Sequence, residues 1–146
     1  MIRNATRLRG AKLGFAAVAG AMLLAGAAAD AHPRLTGEAQ LAKLLDGRVA
    51  GKPVNCITLR NVQTSQVIDK TAIVYGSGGT LYVQRPRSGS SSLNSNDILV
   101  TQLTNSQLCN IDVVQLRDRN GLFWRGFVSL DQFVPYSKPP KAAQAN

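Results

Sequence analysis

The sequence predicts a mainly β domain: a small antiparallel, barrel-like sheet of about six short strands with one N-terminal α-helix. Three observations carry this. Short runs rich in β-branched and aromatic residues recur at close spacing between residues 53 and 137. Turn signals separate them, among them the glycine-rich "GSGG" and the Asn120-Gly121 pair. One stretch alone, residues 36–46, carries a helical period.

Taken in chain order, the first element is a targeting segment. "MIRNATRLRGAK" bears Arg3, Arg7, Arg9 and Lys12 without an acid, and an Ala-rich apolar run follows from Leu13 to Ala29. Basic, then apolar, then small residues describe a secretory signal peptide over residues 1–31. The small-x-small rule allows a cut after Ala29 or after Ala31. The apolar run is shorter than the roughly 20 residues that a membrane-spanning helix needs. No cysteine closes it as a lipid attachment point, and there is no twin-arginine pair.

Residues 32–52 hold the helix and a linker. In "TGEAQLAKLLD", Leu41, Leu44 and Leu45 fall on one stripe, Thr36 caps the start and Gly47 supplies a left-handed residue past the end. The β domain spans 53–137. Its predicted strands are "PVNCITL" (53–59), "TAIVY" (71–75) with "VID" (67–69) leading in, "TLYVQ" (80–84), "DILVTQL" (97–103), "NIDVVQLRD" (110–118) and "LFWRGFVSL" (122–130), closed by "DQFVPY". Regular alternation in "LFWRGFVSL" sets Leu122, Trp124, Gly126 and Val128 on one face and Phe123, Arg125 and Phe127 on the other. The Pro- and Ala-rich tail, 138–146, is expected to be disordered.

Composition then narrows function. The chain carries 17 Lys+Arg and 8 Asp+Glu; cutting after Ala31 leaves 13 bases and 7 acids, a net charge of +6. Basicity of this size suits an anionic component of the cell envelope, although it equally serves solubility. Cys56 and Cys109 are the only cysteines. In an exported chain an even pair reads as a disulfide, closing a loop of about 50 residues and contributing roughly 3 to 4 kcal/mol. Neither a zinc site nor a Cys–His nucleophile has the further Cys or His that it needs.

Chemistry is sparse elsewhere. The loop "RPRSGSSSLNSN" (85–96) places Arg85 and Arg87 beside Gly and Ser, a candidate anion-binding loop, with a solvated linker as the plainer reading. It lacks the Gly-Lys-Ser/Thr ending of a phosphate loop. No Gly-x-Ser-x-Gly elbow exists, and the folded part offers Asp69, Asp97, Asp112, Asp118 and Asp131 without a paired arrangement, so no catalytic constellation and no cofactor site is expected. Of the aromatic residues Tyr75, Tyr82, Phe123, Trp124, Phe127, Phe133 and Tyr136, at least one set is expected to build the core of so small a domain, a reading favoured over nucleic-acid stacking because an exported protein seldom meets nucleic acid. The single histidine, His32, falls at the mature N-terminus. A cut after Ala29 would let the amine, two amides and the imidazole wrap Cu(II) or Ni(II); the simpler reading is a flexible leader.

The stretches "LLDGRVAGKPVNCITLRNV", "VIDKTAIVYGSGGTLYVQRP", "DILVTQ", "SQLCNIDVVQLRD" and "GFVSLDQFVPY" resemble a group of small exported proteins of alphaproteobacteria, especially sphingomonad-like bacteria. An early Cys, a "VID" step, a hairpin and a late "LC" are also similar to a wider proteobacterial domain of unknown function. The ending "RGFVSLDQFVPY" resembles the last turn and strand of SH3-like barrels. The resemblance implies export and a shared β-rich fold and brings no catalytic motif. The sequence thus leads to a periplasmic or secreted, non-enzymatic structural or binding module of the bacterial envelope, meeting an anionic envelope component or another envelope protein. Its alternatives are an exported Cu/Ni-binding protein acting through His32 and a small secreted enzyme.

Overall fold

The computed structural model describes residues 34–140. The expected signal segment with its cuts after Ala29 and Ala31, His32, and the tail from residue 141 lie outside these residues. Within them the chain forms helix α1 (Gly37–Leu44) and ten strands: β1 (Val49–Ala50), β2 (Cys56–Thr58), β3 (Thr64–Ile68), β4 (Ala72–Ser77), β5 (Thr80–Gln84), β6 (Asp97–Thr101), β7 (Gln107–Cys109), β8 (Val113–Asp118), β9 (Trp124–Ser129) and β10 (Phe133–Ser137).

The mainly β content, the antiparallel pairing and the single helix agree with the sequence reading. The barrel does not. Three separate sheets form instead of one six-stranded sheet, with strand orders β1-β10-β5-β4-β3, β2-β7 and β6-β8-β9. The physical reason is that β4 is apolar on both sides. Ala72, Ile73, Val74 and Tyr75 are all buried, so the large sheet must be covered on both faces, and a barrel would cover only one.

Each face has its own core. On one, Leu41 of α1 packs with Ile68, Ala72, Val74 and Val83, joined by Leu44, Leu45 and Tyr136. On the other, Ile73, Tyr75 and Phe133 meet Ile57 and Leu108 of the two-stranded sheet and Val114, Leu116 and Val128 of the three-stranded one. Tyr75 and Phe133 meet edge to face at 6.0 Å between ring centres. The order is therefore helix, large sheet, then two small sheets side by side. One polar group breaks this second core. Gln84, fully buried between Ile73 and Phe133, finds no hydrogen-bond partner among the described residues for its amide nitrogen or oxygen.

Local signals were obeyed where they were strongest. Thr36 accepts the Ala39 N–H at 3.3 Å as the helix N-cap, and Gly47 takes a φ of +67° after the helix ends. Strands β4 and β5 join through Gly78 and Gly79, at φ +55° and +87°, which only glycine accepts easily in succession. The Asn120-Gly121 pair behaves differently. The β8–β9 connection runs over residues 119–123, and Leu122 rather than Asn120 or Gly121 takes the positive φ, at +54°. Asp118 reorganises this turn: its carboxylate accepts the N–H groups of Asn120 and Gly121 at 2.8 and 3.2 Å, and its carbonyl accepts that of Leu122.

Candidate functional site

The cysteines come together first. Cys56 and Cys109 face each other in the β2–β7 register with Cα atoms 4.0 Å apart and are joined as a disulfide. The bond fits an oxidising compartment. It fastens the small sheet whose Ile57 and Leu108 enter the core, so its place is structural.

Arg85 and Arg87 are placed close to protein acceptors. Arg85 forks onto the Glu38 carboxylate at 2.6 and 2.8 Å, tying the large sheet to α1. That fork holds the Glu38 carboxyl below the usual carboxylate range. Arg87 donates to the carbonyls of Leu130 (2.8 and 3.3 Å) and Asn110 (2.8 Å). The serine-rich loop after them lies along the edge of β9. Its backbone exchanges hydrogen bonds with Ser129, through Arg87 N–H and Ser88 C=O, and Gly89 turns at φ +82° against the Phe127 carbonyl, where a Cβ would collide. What reads as a long solvated loop is a cover for a sheet edge.

Across the same sheet, on β6, lies the one buried carboxylate among the described residues. The Asp97 side chain is fully buried, with Arg125 Nε 3.3 Å away, and burial raises its pKa above the ordinary carboxylate value. Asp97 also stands directly opposite Asp118 in the β6–β8 register, and Arg125 reaches both, at 3.9 Å from Asp118. The two like charges share one guanidinium. Asp97 borders a cleft of about 460 Å³ with Ser65, Gln66, Ser95 and Arg119. Among the described residues no three Cys, Asp, Glu or His side chains gather as a metal-binding set.

Arg125 reaches Asp97 because of a β-bulge, and the bulge has a second consequence. Leu116 pairs with Gly126, but Arg117 pairs with Trp124, so Arg125 is an extra residue on β9. Directly paired residues share a face. Val114 and Leu116 with Val128 and Gly126 therefore face the core, while Gln115 with Phe127 and Arg117 with Trp124 face outward. Ile98 and Val100 of β6 extend that outer face through their pairing with Arg117 and Gln115.

This corrects the reading of the aromatic residues. Tyr75 and Phe133 are core, as expected, but Phe123, Trp124 and Phe127 are 74%, 63% and 52% exposed. The bulge moves Trp124 from the inner set of the regular alternation to the outer face beside Phe127. Phe123 projects from the turn, its ring lying over Gly121, where any Cβ would run into it. Val113 and Leu122 stand exposed nearby. Trp124 and Phe127 thus stand together on the outer face of the β6-β8-β9 sheet, with Arg117 directly beside Trp124, while Arg119 lines the cleft beside Asp97. The signal that could have found this face is Gly126, a glycine inside the strand that takes a φ of +143° beside the extra residue.

Compared with family models, with curated proteins and with solved structures, the chain matches none significantly. Among the described residues no helix is long and apolar enough to cross a membrane.

Proposed function

We propose that the protein is a non-enzymatic binding module of the bacterial envelope, acting in the periplasm or after secretion, and that it meets its partner through the outer face of the β6-β8-β9 sheet. The observation that carries this reading is the exposure of Trp124 and Phe127 together on the outer face of one hairpin, with Phe123 exposed at its turn. Large apolar side chains scattered singly need no explanation, but a contiguous set on a regular sheet face marks an interaction surface. The disulfide and the signal-like leader both support an oxidising envelope compartment.

The test is retention by isolated envelope fractions. The wild-type chain is expected to be retained, and Trp124→Ser/Phe127→Ser to be lost to the soluble fraction while keeping its disulfide and circular dichroism. Arg85→Ala, which alters only the exposed ion pair with Glu38, is expected to be retained like wild type. Retention indifferent to Trp124 and Phe127 would overturn the assignment.

A further inference from the structure

We infer that the occupant of this face is an anionic lipid surface, an inference that rests on the binding-face reading above. The face mixes two chemistries in one place. Leu122, Phe123 and Trp124 form the apolar end of the β8–β9 hairpin, and Phe127 and Val113 continue it along the sheet. Arg117 lies directly beside Trp124 in register and reaches the Leu122 carbonyl at 3.4 Å. A protruding aromatic tip with a guanidinium group beside it suits the boundary between acyl chains and headgroups. There the indole and phenyl rings sit at headgroup depth, the arginine stem lies along apolar surface, and its charge meets phosphate.

Other occupants fit less well. A second copy related by two-fold symmetry would bring the same face against itself and set Arg117 near its own equivalent. A protein partner anchors in a pocket, yet the clefts beside Val54, Asp97, Leu59 and Arg48 are lined by none of Phe123, Trp124 and Phe127, and the one beside Asp97, of about 460 Å³, opens among polar residues. A fluid surface requires no cleft. The charge on the outer face is right as well: Asp97 and Asp118 share Arg125, Arg119 lines the cleft beside Asp97, and Arg117 is the charged residue that the register sets beside Trp124.

Trp124 is the only tryptophan in the chain, so its fluorescence reports this hairpin alone. The chain as purified after export, disulfide intact, is mixed with vesicles of phosphatidylcholine, with or without phosphatidylglycerol. On the mixed vesicles Trp124 emission is expected to shift to the blue and to be quenched by bromine-labelled acyl chains, and added salt is expected to weaken both effects. Phe123→Ser/Phe127→Ser is expected to lower partition by about tenfold or more. Arg117→Glu, which leaves the apolar tip intact and changes the charge beside it by two, is expected to lower it by roughly thirtyfold. Unshifted, unquenched Trp124 on mixed vesicles would overturn the inference, as would equal binding to phosphatidylcholine alone. So would a lipid-free blue shift that grows with protein concentration, which would assign the face to a second copy. If vesicles fail while envelope retention still depends on Trp124 and Phe127, the lipid falls and the binding face stands with a protein occupant. If retention ignores the face as well, both readings fall.

Discussion

Asp97 and Arg125 concentrate the energetics of the candidate site in two side chains. A fully buried carboxylate is costly unless it is paired and hydrogen-bonded, and Asp97 has an ion pair with Arg125 but no well-formed hydrogen bond. Burial raises its pKa, opposed by Arg125 and reinforced by Asp118 and Asp69. A carboxyl whose folded pKa is raised contributes stability that is fully present below its unfolded-chain pKa and is lost as pH rises through the folded value. Asp97→Asn should therefore melt higher than wild type at neutral pH, with the advantage shrinking as pH falls below the carboxylate range. Thermal unfolding of both proteins across that range checks this, and a variant that loses stability at neutral pH would show that the ion pair outweighs the cost of burial. Lys70 and Leu122 carry a different local cost, since both hold positive φ without being glycine, at +55° and +54°.

At the scale of elements, the serine-rich connection and β9 form one unit. Loops of this length are expected to be functional or disordered, yet this one lies on the β9 edge, where it pairs the Ser129 N–H and C=O and packs Gly89 against the Phe127 carbonyl. Gly89 makes that approach possible. Gly89→Ala would strain a left-handed residue and push its new Cβ into the Phe127 carbonyl, with an expected loss of about 1 to 3 kcal/mol in denaturant unfolding. Hydrogen exchange should also speed up at the Ser129 amide, which donates to the Ser88 carbonyl at 3.2 Å. Unchanged protection there would show that the loop holds the edge without Gly89. The covered edge also bears on the binding face, because a partner is left with the side chains of the sheet rather than a free backbone to pair with.

Across the whole molecule, the disulfide spans 53 residues and encloses β3 to β6, the middle of the large sheet and the first strand of the three-stranded one. Closing so long a loop stabilises by about 4 kcal/mol on the chain-entropy model. Cys56→Ser/Cys109→Ser should therefore lose stability of that order, measured as the shift in denaturant midpoint, and a loss well under 1 kcal/mol would mean that the two small sheets hold without it. The three-layer arrangement also explains why the candidate face is left exposed. The core between the sheets is filled by Tyr75, Phe133, Leu116 and their neighbours, so the outer side of the β6-β8-β9 sheet has no further layer of the described chain over it.

What could be read from residues alone was what neighbouring residues decide. Thr36 and Gly47 mark the helix because capping and positive φ act within a turn. Gly78-Gly79 marks a hairpin for the same reason, and the cysteines pair because an even number in an exported chain has few other fates. The number of sheets, the edge-covering loop and the direction of Trp124 required the tertiary structure. Whether "LFWRGFVSL" keeps strict alternation depends on a buried aspartate on another strand that draws Arg125 inward, and the bulge that satisfies it turns Trp124 out. Charge burial and register act between segments far apart in the chain; the local mark within β9 is Gly126, at φ +143° beside the extra residue, which signals a bulge but not the partner that Arg125 reaches.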